Sequence, residues 1–77
     1  MSIKIRYFAS LKDYIGRSED EIIYNEVLTV AEVWQQATQN KVKPQNTLVS
    51  VNMDYVNWDE PVNDRDEVAF FPPVTGG

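Results

Sequence analysis

Leu28-Thr29-Val30-Ala31-Glu32-Val33-Trp34-Gln35-Gln36-Ala37-Thr38-Gln39 carries the strongest local signal in the 77-residue chain. Thr29, with Glu32 three residues later, forms a capping box in which each side chain satisfies a backbone N–H that a helix start leaves free. Leu28 and Val33 occupy the two positions of a hydrophobic staple around that cap. Val30, Val33, Trp34 and Ala37 then recur at i, i+3, i+4 and i+7, the apolar stripe of an amphipathic helix. Trp34 sits in the middle of the stripe and reads as a core anchor. A helix with one apolar stripe needs a covering layer, so the flanking segments are expected to supply a sheet. The polar run 41–46, with Pro44 inside it, ends the helix near Asn40.

On the N-terminal side, Ile3, Ile5 and Tyr7 alternate with Lys4, Arg6 and Phe8 over residues 2–8, a period of two that marks a half-buried strand. Phe8 falls on the charged face. Ser10 is placed to cap a short helix whose Leu11, Tyr14 and Ile15 share one side and which Gly16 stops. After the polar turn 17–20, residues 21–27 favour a second strand, antiparallel to the first. On the C-terminal side, 48–52 reads as a third strand, Asn52-Met53-Asp54 as a hairpin turn, and 55–58 as a short strand broken by Asp59-Glu60-Pro61. In that short strand Tyr55 alternates with Asn57 against Val56 and Trp58. Asn63-Asp64-Arg65-Asp66 makes another turn. Residues 67–71 form the last strand, with Val68 and Phe70 on one face and Glu67, Ala69 and Phe71 on the other.

The order is strand, short helix, strand, long helix and three strands, with no internal repeat or linker. This predicts an α+β chain in which one long helix packs across a mixed sheet of about five strands, the arrangement of the β-grasp, or ubiquitin-like, fold. By analogy with that fold, the first and last strands lie side by side and parallel at the centre of the sheet, bringing Phe8 near Phe71. Residues 1–71 form the domain, and residues 72–77 form a tail.

Composition narrows the chemistry. With 43% hydrophobic and 25% charged residues, the chain has the balance of a folded domain. Its net charge of −5, with seven Lys and Arg, argues against a nucleic-acid partner, whose phosphates need a basic patch, and fits a basic protein partner or merely good solubility. No Cys and no His are present, which removes the usual zinc sites, Cys nucleophiles and His-based triads. No Gly-rich phosphate loop is present, so ATP binding by this chain is not expected. Asp59, Glu60, Asp64, Asp66 and Glu67 lack the spacing of a calcium loop and read as a solvated acidic edge. The alternating start Met1 to Arg6 is unlike a signal peptide, and no apolar run approaches the ~18 residues of a membrane span, so the cytoplasm is the expected location.

The tail is the expected working part. Two of the three glycines, Gly76 and Gly77, close the sequence. Neither carries a Cβ, so a terminal diglycine can thread a channel too narrow for any side chain. Pro72 and Pro73 hold the approach extended, and at ~3.1 Å per residue the six residues from Pro72 reach about 18 Å. The one chemical group at the end is the Gly77 carboxylate.

The stretch Asp66-Glu67-Val68-Ala69-Phe70-Phe71-Pro72-Pro73-Val74-Thr75-Gly76-Gly77 closely resembles the end of the small subunits of molybdopterin synthase, a family of ubiquitin-like sulfur carriers. Ile3-Lys4-Ile5-Arg6-Tyr7-Phe8-Ala9, Thr29-Val30-Ala31-Glu32 and Val49-Ser50-Val51-Asn52 are similar to the first strand, the long-helix start and the third strand of that family. The resemblance implies that an ATP-dependent adenylyltransferase of the ubiquitin-activating type adenylates the Gly77 carboxylate and that a sulfur donor converts it to a thiocarboxylate. It implies that the tail then enters the large synthase subunit and gives sulfur to cyclic pyranopterin monophosphate, in a heterotetramer of two small and two large subunits. No cofactor is implied for this chain itself. Gly76 gives clearance beside the cargo-bearing Gly77, Pro72 and Pro73 guide the tail, and these two with Val74 and Thr75 are expected to bind the partner. Strand parity proposes Phe8, Tyr55 and Phe71 as an exposed apolar patch that partners read. Where the family often has glycine before the last strand, this chain has Arg65, at a position where a positive φ is costly for a side chain. The alternatives are a diglycine carrier for another pathway such as thiamine synthesis, or a ubiquitin-like interaction module with an inert tail.

Overall fold

The computed structural model describes residues 1–73. Chain order is β1 (Ser2–Tyr7), α1 (Ser10–Ile15), β2 (Glu19–Ile23), β3 (Leu28–Thr29), α2 (Val30–Thr38), β4 (Leu48–Val51), β5 (Asp54–Tyr55), β6 (Pro61–Val62) and β7 (Glu67–Phe71). Among the described residues, five strands form a mixed sheet in the order β2-β1-β7-β4-β5, and β3 pairs with β6 in a separate two-stranded sheet. β1 is antiparallel to β2 and parallel to β7, so the first and last strands are neighbours. β7, the middle strand, is also antiparallel to β4. The α+β fold with a long helix and a short one is the one the sequence predicts.

α2 forms as its cap dictates. Thr29 Oγ1 accepts from the Glu32 N–H at 3.2 Å, and the Thr29 N–H donates to Glu32 Oε1 at 2.8 Å. Gln39, at φ 58, closes the helix in the left-handed region. Its apolar stripe enters the core with Ile3, Ile5, Tyr7, Val68 and Phe70 from the sheet. Trp34 is buried among aromatic rings, 5.0 Å from Phe70 and 6.4 Å from Tyr7, and its indole N–H donates to the Lys41 carbonyl at 2.8 Å. A large ring with its one polar atom satisfied makes a core anchor.

Four expectations change. Ser10 is the first helical residue of α1, not its cap; Ala9 holds the cap position at φ 53 with no side-chain bond. The free N–H groups of Leu11 and Lys12 are met instead by the Phe8 and Ala9 carbonyls at 3.1 and 3.0 Å. The second strand starts at Glu19 and ends at Ile23, because the Tyr7 N–H still bonds the Ser18 carbonyl and extends the ladder backward. The strand expected over 55–58 is Asp54–Tyr55 alone. After it Trp58 turns inward, stacking 5.4 Å from Phe70 and donating its indole N–H to the Thr47 carbonyl at 3.3 Å. The acidic edge is also part structural: Asp66 accepts from the Asn63 N–H at 2.8 Å and from the Asn52 side-chain amide at 2.9 Å, which closes the turn before β7. In that turn Arg65 does take the left-handed conformation, at φ 70.

Candidate functional site

Period-two alternation along parallel β1 and β7 sends one aromatic of each consecutive pair to either face. Tyr7 and Phe70 enter the core, and Phe8 and Phe71 emerge on the other side of the sheet. The two outward rings stack with centroids 5.0 Å apart and planes 5° from parallel. Tyr55 stands 6.0 Å from Phe71 and is 70% exposed. The structure thus brings Phe8, Tyr55 and Phe71, predicted as one patch, onto one face.

Between them lies a groove of about 360 Å³ that also touches Arg6, Met53 and Glu67. Its origin is the lateral register. Arg6 pairs with Ala69, Ala69 with Ser50, and Ser50 with Tyr55, so one row across four strands carries two small side chains in its middle. Ala69 and Ser50 form a floor. Phe8 and Phe71 rise on one side and Glu67 on the other. Arg6 Nε sits 3.4 Å from Glu67 Oε2, with both side chains about half exposed, so the pair shapes the rim and contributes little stability. Arg6, Ser50, Met53, Glu67 and Ala69 were not predicted as site residues. Parity alone places Arg6, Glu67 and Ala69 on this face, but only the inter-strand register, set by residues far apart in sequence, shows that they share a depression.

Side-chain bonds link separate elements behind this face. The Tyr7 hydroxyl donates to Asp20 Oδ2 at 2.8 Å, Arg17 Nε donates to both Asp20 oxygens at 2.8 and 2.7 Å, and Arg17 Nη2 donates to the Ala37 carbonyl at 2.7 Å. The network ties β1, β2 and the end of α2. Burial first, and then the bond to Asp20, push the Tyr7 phenol well above the ordinary tyrosine range.

The chain runs directly from the groove into the tail. Phe71 is a wall of the groove and the last residue of β7; Pro72 follows half-buried and Pro73 exposed. Val74, Thr75, Gly76 and Gly77, the remaining predicted site residues, lie outside the described residues. Among the described residues no three His, Cys, Asp or Glu side chains cluster as metal ligands. No helix among them is long and apolar enough to cross a membrane.

The sequence profile of the ThiS family matches residues 5–77. The chain belongs to the ThiS family. Similarity to individual proteins spans the whole length. The chain is 35% identical over 80 residues to the molybdopterin synthase sulfur carrier subunit of Escherichia coli strain K12, covering 97% of this chain and 99% of that protein. It shares its β-grasp fold with SAMP1 of Haloferax volcanii, at a TM-score of 0.77, 22% identity and full coverage of both chains. The same fold recurs in a complex of subunits 1 and 2 of the molybdopterin-converting factor of Helicobacter pylori 26695, at a TM-score of 0.65, 22% identity and full coverage of both chains. The ThiS-family match includes the whole tail, and so reaches the residues that follow the groove.

Proposed function

We propose that this protein is the sulfur carrier subunit of a molybdopterin synthase. In this reading an ATP-using adenylyltransferase of the ubiquitin-activating type joins the Gly77 carboxylate to AMP, and a sulfur donor displaces AMP to leave a thiocarboxylate. The large synthase subunit then takes the tail and passes its sulfur to cyclic pyranopterin monophosphate. The protein has no cysteine to hold sulfur, so the activatable carboxylate is its one carrier group. A carboxylate is a poor electrophile at neutral pH, and a mixed anhydride with AMP supplies the leaving group that sulfur needs. Nucleotide and pterin belong to the partners.

The observation that carries the reading is that Phe71 serves both as wall of the exposed aromatic groove and as root of the tail. A protein that draws in the last six residues, which span about 18 Å when extended, takes hold of a chain end that starts at this groove. Full-length similarity to the E. coli carrier selects the molybdopterin pathway, and the H. pylori complex supplies the precedent of a large-subunit partner for the fold.

The test is the intact mass of the protein after incubation with its adenylyltransferase, ATP and a sulfur donor, followed by addition of the large subunit and the pyranopterin. A mass gain equal to one oxygen replaced by sulfur, confined to the C-terminal peptide, lost on deletion of Gly77 and discharged into a dithiolene product, is expected. A thiocarboxylate that never yields dithiolene would move the protein to another carrier pathway such as thiamine synthesis. No mass gain with an active cognate enzyme would leave an interaction module with an inert tail.

A further inference from the structure

The hairpin joining β4 to β5 places both of its central residues in the left-handed region, Asn52 at φ 51 and Met53 at φ 74. Such a turn matches the twist of the strands it joins, and its second central position is the usual place of glycine, because any Cβ there meets the following carbonyl. Asn52 is well suited to its own position. Its backbone N–H donates to the Glu67 carbonyl at 2.8 Å, its side-chain oxygen accepts the Glu67 N–H at 3.0 Å, and its side-chain amide holds Asp66. Met53 gains nothing comparable. Its side chain is 89% exposed, so it carries a strained backbone and a large apolar surface in water without burial inside its own fold. It also touches the groove that Phe8, Tyr55 and Phe71 line.

An unfavourable residue that does not stabilise its own fold points to a contact outside it. We infer that Met53 is a specificity-determining contact of the docking face, covered by an apolar side chain that the large, sulfur-accepting subunit inserts into the groove. The inference rests on the proposed carrier function and deepens it by naming a contact that strand parity does not reach. The occupant is taken from the related complex: the groove adjoins the start of the tail at Phe71, and in the H. pylori complex subunit 2 accompanies the small chain. The Asn52 clamp fixes the turn to the start of β7, so the backbone that presents the thioether needs no ordering for binding. A flexible thioether also adapts to an irregular apolar knob better than a branched side chain does.

The decisive variant is Met53→Gly, because its two effects have opposite signs. Thermal melting of the full chain is expected to rise by roughly 3–8 °C as the strain is relieved. Calorimetric affinity for the cognate large subunit is expected to fall about tenfold or more. Met53→Leu keeps the apolar surface and is expected to bind within about threefold of the parent. Unchanged affinity of Met53→Gly would overturn the inference, as would a fall in its melting temperature, or an affinity loss seen with the adenylyltransferase and not with the large subunit. If the parent chain binds the large subunit and Phe71→Ala abolishes that binding while Met53→Gly leaves it intact, only the Met53 assignment fails. If the parent chain itself does not bind the large subunit, the molybdopterin assignment fails and takes the inference with it.

Discussion

Tyr7 and Phe8 are neighbours in sequence, as are Phe70 and Phe71, yet each pair divides between two environments. Tyr7 and Phe70 are 2% and 0% exposed and pack with Trp34, whereas Phe8 is 40% exposed and stacks on Phe71 above a groove. Residue type is the same on both faces and the consequence is opposite. The inner pair stabilises the domain, and the outer pair leaves apolar surface on the sheet face away from the helix. In a two-layer fold the helix protects one sheet face alone, so the pleat sends one aromatic of each pair into the core and leaves the other on the open face.

The sharpest way to break this contrast is to truncate one ring from each face. Phe70→Ala is expected to cost about 3–5 kcal/mol, against roughly 4–12 kcal/mol of total stability for a domain of this size, and urea titration should show a partly unfolded chain. Phe71→Ala should stay within about 1 kcal/mol of the parent in the same titration while losing about thirtyfold or more in affinity for the large subunit. If both variants lost stability equally, the outer face would be structural and the contrast would fail.

A smaller effect separates the inner face by pH. The Tyr7 phenol has a folded pKa raised by burial and by Asp20, so the native state keeps its proton where the unfolded chain has lost it. The stability this contributes is fully present below the unfolded value of ~10 and declines as pH rises above it. Tyr7→Phe should cost about 1 kcal/mol at neutral pH and show a shallower loss above pH ~10, measured as urea midpoints across the alkaline range. Smallest of all is Arg65→Gly. At φ 70, with its side chain 88% exposed, Arg65 is strained without being buried, and glycine should raise stability by about 0.5–1 kcal/mol in calorimetric melting.

How much of this was legible in the sequence depended on the distance over which each feature is determined. α2 could be read because Thr29 and Glu32 lie within one turn, and the face of Phe8 and Phe71 because strand parity is local. The pairing of Leu28 with Val62 escaped, since two-residue strands more than thirty positions apart carry no period. Trp58 was legible in part: its alternation with Tyr55 puts it on the opposite face from that exposed ring, but does not place it against Phe70 or the Thr47 carbonyl. At Ser10 the residue type suited a cap, but neighbouring carbonyls had already taken the free N–H groups. Phe8, Tyr55 and Phe71 were legible as a patch, whereas the groove among them needed the register that sets Ala69 beside Ser50. The reading of Asn52-Met53-Asp54 as a turn did not mark Met53, whose positive φ only the structure shows.

The central position of β7 has a mechanical consequence. A force on the tail, as when a tightly held end is withdrawn from a narrow channel, acts along the axis of a strand flanked on one side by parallel β1 and on the other by antiparallel β4. Backbone bonds on both flanks lie across that axis and share the load together, in shear. A tail rooted in an edge strand would let them open one after another, like a zip. Rooted where it is, the end of β7 can bear a pull without the sheet opening from one edge.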